Sequence, residues 1–347
     1  MRAASARAVT RPHASASIPC MSTPILPTFA DVDAAAERIK GVAVRTPLIN
    51  APVLDERIGA RVFLKAEALQ RTGSFKFRGA YNKISSLPPE RREAGVVAYS
   101  SGNHAQGVAA AARLCGMRAT IVMPADAPLA KRRRTQALGA EVVLYDRERE
   151  DRAAIAHRIA EERGATLVPP YDDPLIVAGQ GTIGREIVED LAVLGLKPEL
   201  VLIGCSGGGL AAGTALGVKA RVPEAVFYAV EPAGFDDTVR SFASGAREAN
   251  TRMSGSICDA LLTATPGEVT FPINKRLIGQ GVTVTDEEVA AAVRYAFEEL
   301  KLVVEPGGAV GLAAMLAGKV EMKDKVVVGV LSGGNVDAEM FAKLIGG

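Results

Sequence analysis

The stretch GVVAYSSGNHAQGVAAAARLCGMRATIVMP, residues 95–124, decides the fold. GVVAYS (95–100) is an apolar, β-prone run that ends in polar turn residues. A helix is predicted from about Gln106 to Leu114. RATIVMP (118–124) is the next strand. Both strand runs are almost continuously apolar, as expected of strands covered on both faces. The rhythm continues outward. PLAKRRRTQALG reads as a helix ending at Gly139, AEVVLYD (140–146) as a strand, DRAAIAHRIAEERG as a helix and ATLVPP as a strand. Strands that alternate with helices imply a parallel sheet with right-handed crossovers.

The same rhythm restarts downstream. ELVLIGC (199–205) is a strand and SGGGLAAG opens a helix. AVFYAVEP (225–232) is a strand. Thr285 and Glu288 stand at capping-box spacing before a long amphipathic helix. GGAVGLAAML is a helix, and KVVVGVLSGG (325–334) is a last strand and turn. Two such series imply two α/β units. Pro169, Pro170, Asp172, Asp173 and Pro174 form the expected connection.

Composition narrows the function. The 347 residues carry a formal charge of +2, which excludes a nucleic-acid footprint and leaves a small-molecule partner. No apolar run reaches the roughly 18 residues of a membrane span. The four cysteines include no CxxC pair, which fits a reducing, cytoplasmic setting. Residues 1–21 hold no acid and read as a disordered extension ahead of the fold, with an organelle transit peptide as the other reading. The 35 glycines against 5% aromatics remain to be explained.

Four motifs carry chemistry. In GCSGGGLAAG (204–213), consecutive glycines after a strand and before a helix allow several N–H groups to face one phosphate, with Ser206 as a side-chain donor; the other reading is a close-packed turn. In TGSFKFRGAYNKI (72–84), Lys76 lies just inside a helix start between Phe75 and Phe77. Both surroundings lower an amine's pKa, whereas a surface lysine is the other reading. SSGNHAQG (100–107) sets Ser100, Ser101, Asn103 and His104 at the end of a strand, where open sheets bind ligands; a simple N-cap box is the alternative. LSGGNVD (331–337) places Ser332 at the end of the last strand.

In this order, and with KAEALQRTGSFKFRGAYNKI, AGQGTIGREI and LKLVVEPGGAVGLAA between them, the chain resembles the fold type II pyridoxal-phosphate enzymes, in the serine/threonine dehydratase and serine racemase group. The resemblance runs from about Phe29 to Phe341. It implies two open twisted α/β sheet domains, with a large cofactor domain at 22–94 and 173–347 and a small mobile domain at 95–172. The cofactor would sit in the cleft between them. Lys76 would hold the cofactor covalently and Phe75 would lie against its ring. Asn103 would bond the ring hydroxyl, and Ser332 would face the ring nitrogen. Ser206, Gly207, Gly208, Gly209 and Leu210 would wrap the phosphate. Ser100, Ser101, Asn103 and His104 would receive the amino-acid substrate, with Ser101 a second base where the reaction is racemisation. Glu231, the Phe235 carbonyl and Asp237 match a divalent-cation site of relatives and suit Mg²⁺, Ca²⁺ or Mn²⁺; the bland alternative for this acidic pair is a helix N-terminus.

The implied activity is dehydration and deamination of a β-hydroxy amino acid, L-threonine or L-serine by default, by a homodimer or homotetramer. Alternatives are a 3-hydroxyaspartate dehydratase, a serine or aspartate racemase, and a non-catalytic cofactor-binding protein. Departures bear on the substrate. SICDALLTATPG (256–267) lacks the small-Gly-Arg phrase of relatives, IGQGVTV (278–284) has Gly279, Gln280 and Gly281 where acids are usual, and Tyr171 replaces an Asn. Arg152 aligns with an arginine of the racemase. No C-terminal regulatory module is expected after Gly347.

Overall fold

The structure is a computed structural model and describes residues 24–127 and 129–346. The expectation for residues 1–21 lies outside the described residues. Among the described residues ten strands form two sheets: β1 (Leu48–Asn50), β2 (Arg61–Ala66), β3 (Val96–Tyr99), β4 (Ala119–Pro124), β5 (Glu141–Tyr145), β6 (Thr166–Leu167), β7 (Leu200–Gly204), β8 (Val226–Pro232), β9 (Gly281–Val284) and β10 (Val326–Leu331). The order β5-β4-β3-β6 makes a four-stranded, all-parallel sheet. The order β1-β2-β10-β7-β8-β9 makes the second sheet, parallel except for β1 at its edge. The α/β class with two sheets is therefore as expected. The antiparallel β1 is a three-residue edge with no periodicity to betray it.

Both sheets are covered on both faces, and the alternation along each strand shows it. In the larger sheet Leu64, Leu202, Val230 and Val327 enter one core, while Phe63, Val201, Ala229 and Val328 enter the other. In the smaller sheet Ala98 and Ile121 face one core and Val97 and Val122 the other. Continuous apolar strands are the consequence.

One helix joins the two bodies. Lys76–Ser85 packs Phe77, Ala80 and Ile84 into the core of the four-stranded sheet. On another side it meets the 20-residue helix Pro174–Val193 at a glycine crossing. A Cβ added at Gly179 would stand 2.6 Å from the Cα of Gly79. Further along, a Cβ at Gly184 would meet the carbonyl of Thr214 at 2.2 Å, on helix Gly209–Lys219. Much of the glycine content serves this close helix packing, which bulky aromatics would forbid. Buried charges fix the same helix from beneath. The fully buried Arg78 bonds Glu67 at 2.8 Å and Glu186 at 2.7 Å, and Lys65 reaches Glu186 at 2.6 Å and the carbonyl of Thr46 at 2.7 Å.

Candidate active site

A cavity of about 200 Å³ opens where the strand ends of the two sheets face each other. Its lining includes Phe75, Lys76, Ser100, Ser101, Asn103, His104, Ser206, Gly207, Gly208, Gly209, Leu210 and Ser332. Four motifs spread over 258 residues of chain thus surround one space.

Lys76 is the first residue of its helix. Its Nζ donates to the carbonyl of Pro170 at 2.7 Å and lies 5.0 Å from the centre of the Phe75 ring. Desolvation lowers its pKa to about 8, opposed by the charge of Glu305. The motif's local chemistry predicted this amine, and the surface-lysine alternative falls away.

The geometry of loop 206–210 suits an anion. Its carbonyls are engaged behind it: that of Gly207 accepts from the Thr270 hydroxyl at 2.5 Å, and that of Gly208 accepts from Asn274 Nδ2 at 3.1 Å. Gly208 has φ +91°, a left-handed conformation that glycine adopts without strain. The helix it precedes has no side-chain cap, so its first N–H groups remain available at the positive end of the dipole. The ring of Tyr171 leans on Gly207, where a Cβ would stand 2.5 Å from it. Burial pushes the Tyr171 hydroxyl up to about 12.

The loop 100–104 shares this design. Its helix begins at Asn103, three residues earlier than the sequence suggested, with Gly102 as an N-cap that offers no side chain. The N-cap-box alternative therefore fails; Ser100 Oγ instead accepts from the N–H of Gly102 at 3.2 Å. Asn103 is held at both ends, donating to Glu305 Oε1 at 2.5 Å and accepting from Asn335 Nδ2 at 2.7 Å. His104 turns Nε2 to the carbonyl of Val168 at 2.8 Å, so Nε2 carries the proton. Desolvation and the Lys76 charge lower its pKa to about 3, so the imidazole is neutral. Ser332 is buried, and its carbonyl accepts from the N–H of Phe75 at 3.1 Å, tying the last strand to Lys76.

The acidic group lies behind the phosphate-type loop. Glu231, next to last in β8, accepts from the N–H groups of Thr238 and Val239 at 3.2 and 2.8 Å. That is the helix N-terminus role named as the bland alternative. Asp237 Oδ1 accepts from Asn250 at 2.6 Å, whereas its buried Oδ2 has no partner among the described residues. Burial raises the pKa of both carboxyls, Asp237 to about 6. The orphaned oxygen and the crowded carboxylates fit a hard cation as a further charge partner. Among the described residues no three His, Cys, Asp or Glu side chains converge, so a cation here would rest on two carboxylates and backbone oxygen such as that of Phe235.

Several lining residues escaped the sequence reading: Glu305, Lys131, Asp259 and Thr263. Lys131 pairs with Asp259 at 3.1 Å across the mouth of the cavity. Thr263 accepts the hydroxyl of Ser206. The signal for Glu305 was available, since a single acid stands immediately before the wholly apolar run PGGAVGLAAML.

Comparison with known proteins agrees with this geometry. The model of the family described as "Pyridoxal-phosphate dependent enzyme" matches residues 39–333. The L-threo-3-hydroxyaspartate ammonia-lyase of a Pseudomonas species is 46% identical, over 93% of this chain and 99% of the relative. The L-threonine ammonia-lyase of Thermotoga maritima is 43% identical, over 92% and 78%. Among solved structures, maize serine racemase superposes with a TM-score of 0.87 at 34% identity, covering 92% of this chain and 97% of that one. A family match over residues 39–333 and relatives above 40% identity across most of the chain agree with the amine and the uncapped helix starts around the cavity: this protein belongs to the pyridoxal-phosphate dependent enzyme family.

Proposed function

We propose that the protein is an ammonia-lyase that removes water and then ammonia from a β-hydroxy amino acid, with L-threonine and L-serine as its simplest substrates. The observation that carries this reading is the Lys76 amine, whose pKa is lowered to about 8 within a cavity walled by two uncapped helix starts. Pyridoxal phosphate, when bound, supplies the electron sink. The protein's residues do the rest. The N–H groups of residues 207–210, with Ser206, hold the phosphate. Asn103, fixed by Glu305 and Asn335, would orient the ring hydroxyl, and the neutral Ser332 hydroxyl would face the ring nitrogen. Ser100, Ser101 and the first N–H groups of helix Asn103–Leu114 receive the substrate carboxylate. Nζ of Lys76, as free amine, takes the proton from Cα. The Ser101 hydroxyl serves the opposite face where the substrate is inverted.

A second reading within the class is 3-hydroxyaspartate. Arg152 brings a further cation to the cavity lining for a second carboxylate, and relatives in Pseudomonas and Saccharomyces cerevisiae bear that substrate in their names. We further propose that residues 95–172 close over the substrate as a small domain. The Lys131–Asp259 pair, which already spans the mouth, is the supporting contact. A cytoplasmic setting is supported by the free thiols Cys115, Cys205 and Cys258. The Glu231–Asp237 pair would hold a Mg²⁺-type ion behind the phosphate loop.

The test is a panel of L- and D-serine, L-threonine and the 3-hydroxyaspartates, followed for 2-oxo acid and for inversion. Borohydride should fix the cofactor to Lys76. A protein that takes up no cofactor, or forms no 2-oxo acid from any of these, overturns the reading.

A further inference from the structure

The connection between the two sheets grips a different element with each of four consecutive residues. The carbonyl of Pro170 accepts from Lys76 Nζ at 2.7 Å. The ring of Tyr171 covers Gly207, where a Cβ would stand 2.5 Å from it. Asp173 caps helix Pro174–Val193, accepting from the N–H groups of Leu175 and Ile176 at 2.9 and 3.1 Å. Asp172 is not among the residues that line the cavity. Its carboxylate turns instead to the start of helix Thr270–Leu277. Oδ2 accepts from the N–H of Glu268 and Oδ1 from that of Val269, each at 2.8 Å, and Oδ1 also lies 3.4 Å from the nitrogen of Thr270. Val269, the N-cap of that helix, makes no side-chain bond of its own. A Cβ on Gly267 would stand 2.3 Å from Asp172 Oδ1, so the carboxylate is seated flush against this turn.

The segment that Asp172 grips holds the anion loop from behind. The Gly207 carbonyl accepts from the Thr270 hydroxyl at 2.5 Å and from the N–H of Gly267 at 3.3 Å. The Gly208 carbonyl accepts from Asn274 Nδ2 at 3.1 Å. The C=O and N–H of one trans peptide point in opposite directions. With the carbonyls of Gly207 and Gly208 drawn toward residues 267–274, the N–H groups of Gly208 and Gly209 are turned the other way, to the cavity that both residues line. All three bonds that set this orientation come from residues 267–274.

We infer that Asp172 is a positioning residue for the phosphate: its carboxylate fixes residues 267–270, and these turn the Gly208 and Gly209 N–H groups toward the anion. Pro170, two residues earlier, bonds the Lys76 amine, so one short segment sets the two ends of the cofactor's place against each other. The inference rests on the reading of residues 206–210 as the phosphate loop. Charge alone predicts the reverse effect, because removing a carboxylate near an anion strengthens that anion's binding. The sign of the change therefore separates positioning from electrostatics.

The experiment compares two ligands that differ only in the phosphate. Full-length protein stripped of cofactor is titrated with pyridoxal phosphate and with pyridoxal, and binding is read from the visible absorbance. Asp172→Ala should weaken pyridoxal phosphate about tenfold, the equivalent of one hydrogen bond to a charged group, and leave pyridoxal unchanged. Inorganic phosphate should compete less well by the same factor. Asp172→Asn keeps one acceptor oxygen and should recover part of the loss. At saturating pyridoxal phosphate, borohydride should still fix the cofactor to Lys76 in Asp172→Ala. A variant that keeps or raises the wild-type preference for the phosphorylated ligand overturns the inference alone. So does an equal loss for both ligands, which a general loosening would give. A wild type without that preference overturns the phosphate reading of the loop, and the inference with it. Should Asp172→Ala fail to fold, Thr270→Val decides. It removes the hydroxyl that holds the Gly207 carbonyl and should show the same selective loss, which Thr270→Ser restores. Unchanged selectivity in Thr270→Val overturns the proposal.

Discussion

Lys65 and Lys76 lie 11 residues apart on either side of one turn, and they have opposite surroundings. Lys65 is fully buried with a carboxylate at 2.6 Å and a carbonyl at 2.7 Å. Lys76 faces a cavity with a carbonyl at 2.7 Å, and among the described residues it has no ion-pair partner. The first lysine belongs to a neutralised charge network that anchors a helix. The second stands at the start of that helix with no ion pair among the described residues. Burying a charge costs stability unless it is paired, so the unpaired amine is held there against its own preference and shifts its pKa instead. The network beneath supplies the rigidity that makes this possible.

The largest effect should come from removing the amine. Lys76→Ala should lower 2-oxo acid formation by about 10⁴-fold, the upper range for loss of a general base. Its urea midpoint should stay at or above that of the wild type. A variant that keeps a tenth of its turnover would show that Lys76 is only another buried lysine.

Next comes the anchor. Arg78 stays charged because Glu67 and Glu186 outweigh the burial that would deprotonate it. Arg78→Met leaves both acids without their guanidinium and should cost about 3–5 kcal/mol in urea unfolding. A loss below 1 kcal/mol would mean that the network is solvated and does not anchor the helix.

The sharpest version of the comparison sets the two lysines side by side in cofactor-free protein. Lys65→Met should destabilise, whereas Lys76→Met should stabilise by roughly 2 kcal/mol at pH 7, because it removes a desolvated charge that no ion pair holds. The sign follows from linkage. The folded pKa of Lys76 is about 8 and the ordinary lysine value is 10.5, so between those pH values the unfolded chain binds more protons. Wild-type stability should therefore rise from about pH 8 to 10.5 relative to Lys76→Met, and the advantage of the variant should vanish above that window. A difference that does not change with pH would contradict the pKa assignment.

What was legible in the sequence follows the range of the interactions. Lys76, the glycine loop and the Ser100–His104 loop were readable because strand, turn and helix start are contiguous there. The strands of the smaller sheet were readable from their continuous apolar runs. Glu305 was marked only as a lone acid before an apolar run, because what it contacts is Asn103, 202 residues away. The glycines of AGQGTIG were noticed as a phrase, but their reason is contact between helices that only the fold brings together. The start of helix Asn103–Leu114 was placed late, because Gly102 gives no side-chain cap to mark it.

The smallest expected effect tests how far the network's influence extends. Thr46 is buried, donates its hydroxyl to Glu67 Oε1 at 2.5 Å and accepts a long contact from Arg78 Nη2 at 3.5 Å. Its carbonyl also receives Lys65, but that bond survives substitution of the side chain. Thr46→Val keeps the shape and removes one hydroxyl, so the cost should be about 1 kcal/mol, the net value of one buried hydrogen bond. Glu67 keeps both contacts to Arg78, and nothing that Thr46 touches lines the cavity. Turnover, and the pH midpoint for acetylation of the Lys76 amine in cofactor-free protein, should therefore match the wild type. If that midpoint moved with Thr46→Val, anchor and cavity would be electrostatically one region, and the contrast between the two lysines would have to be drawn from geometry alone.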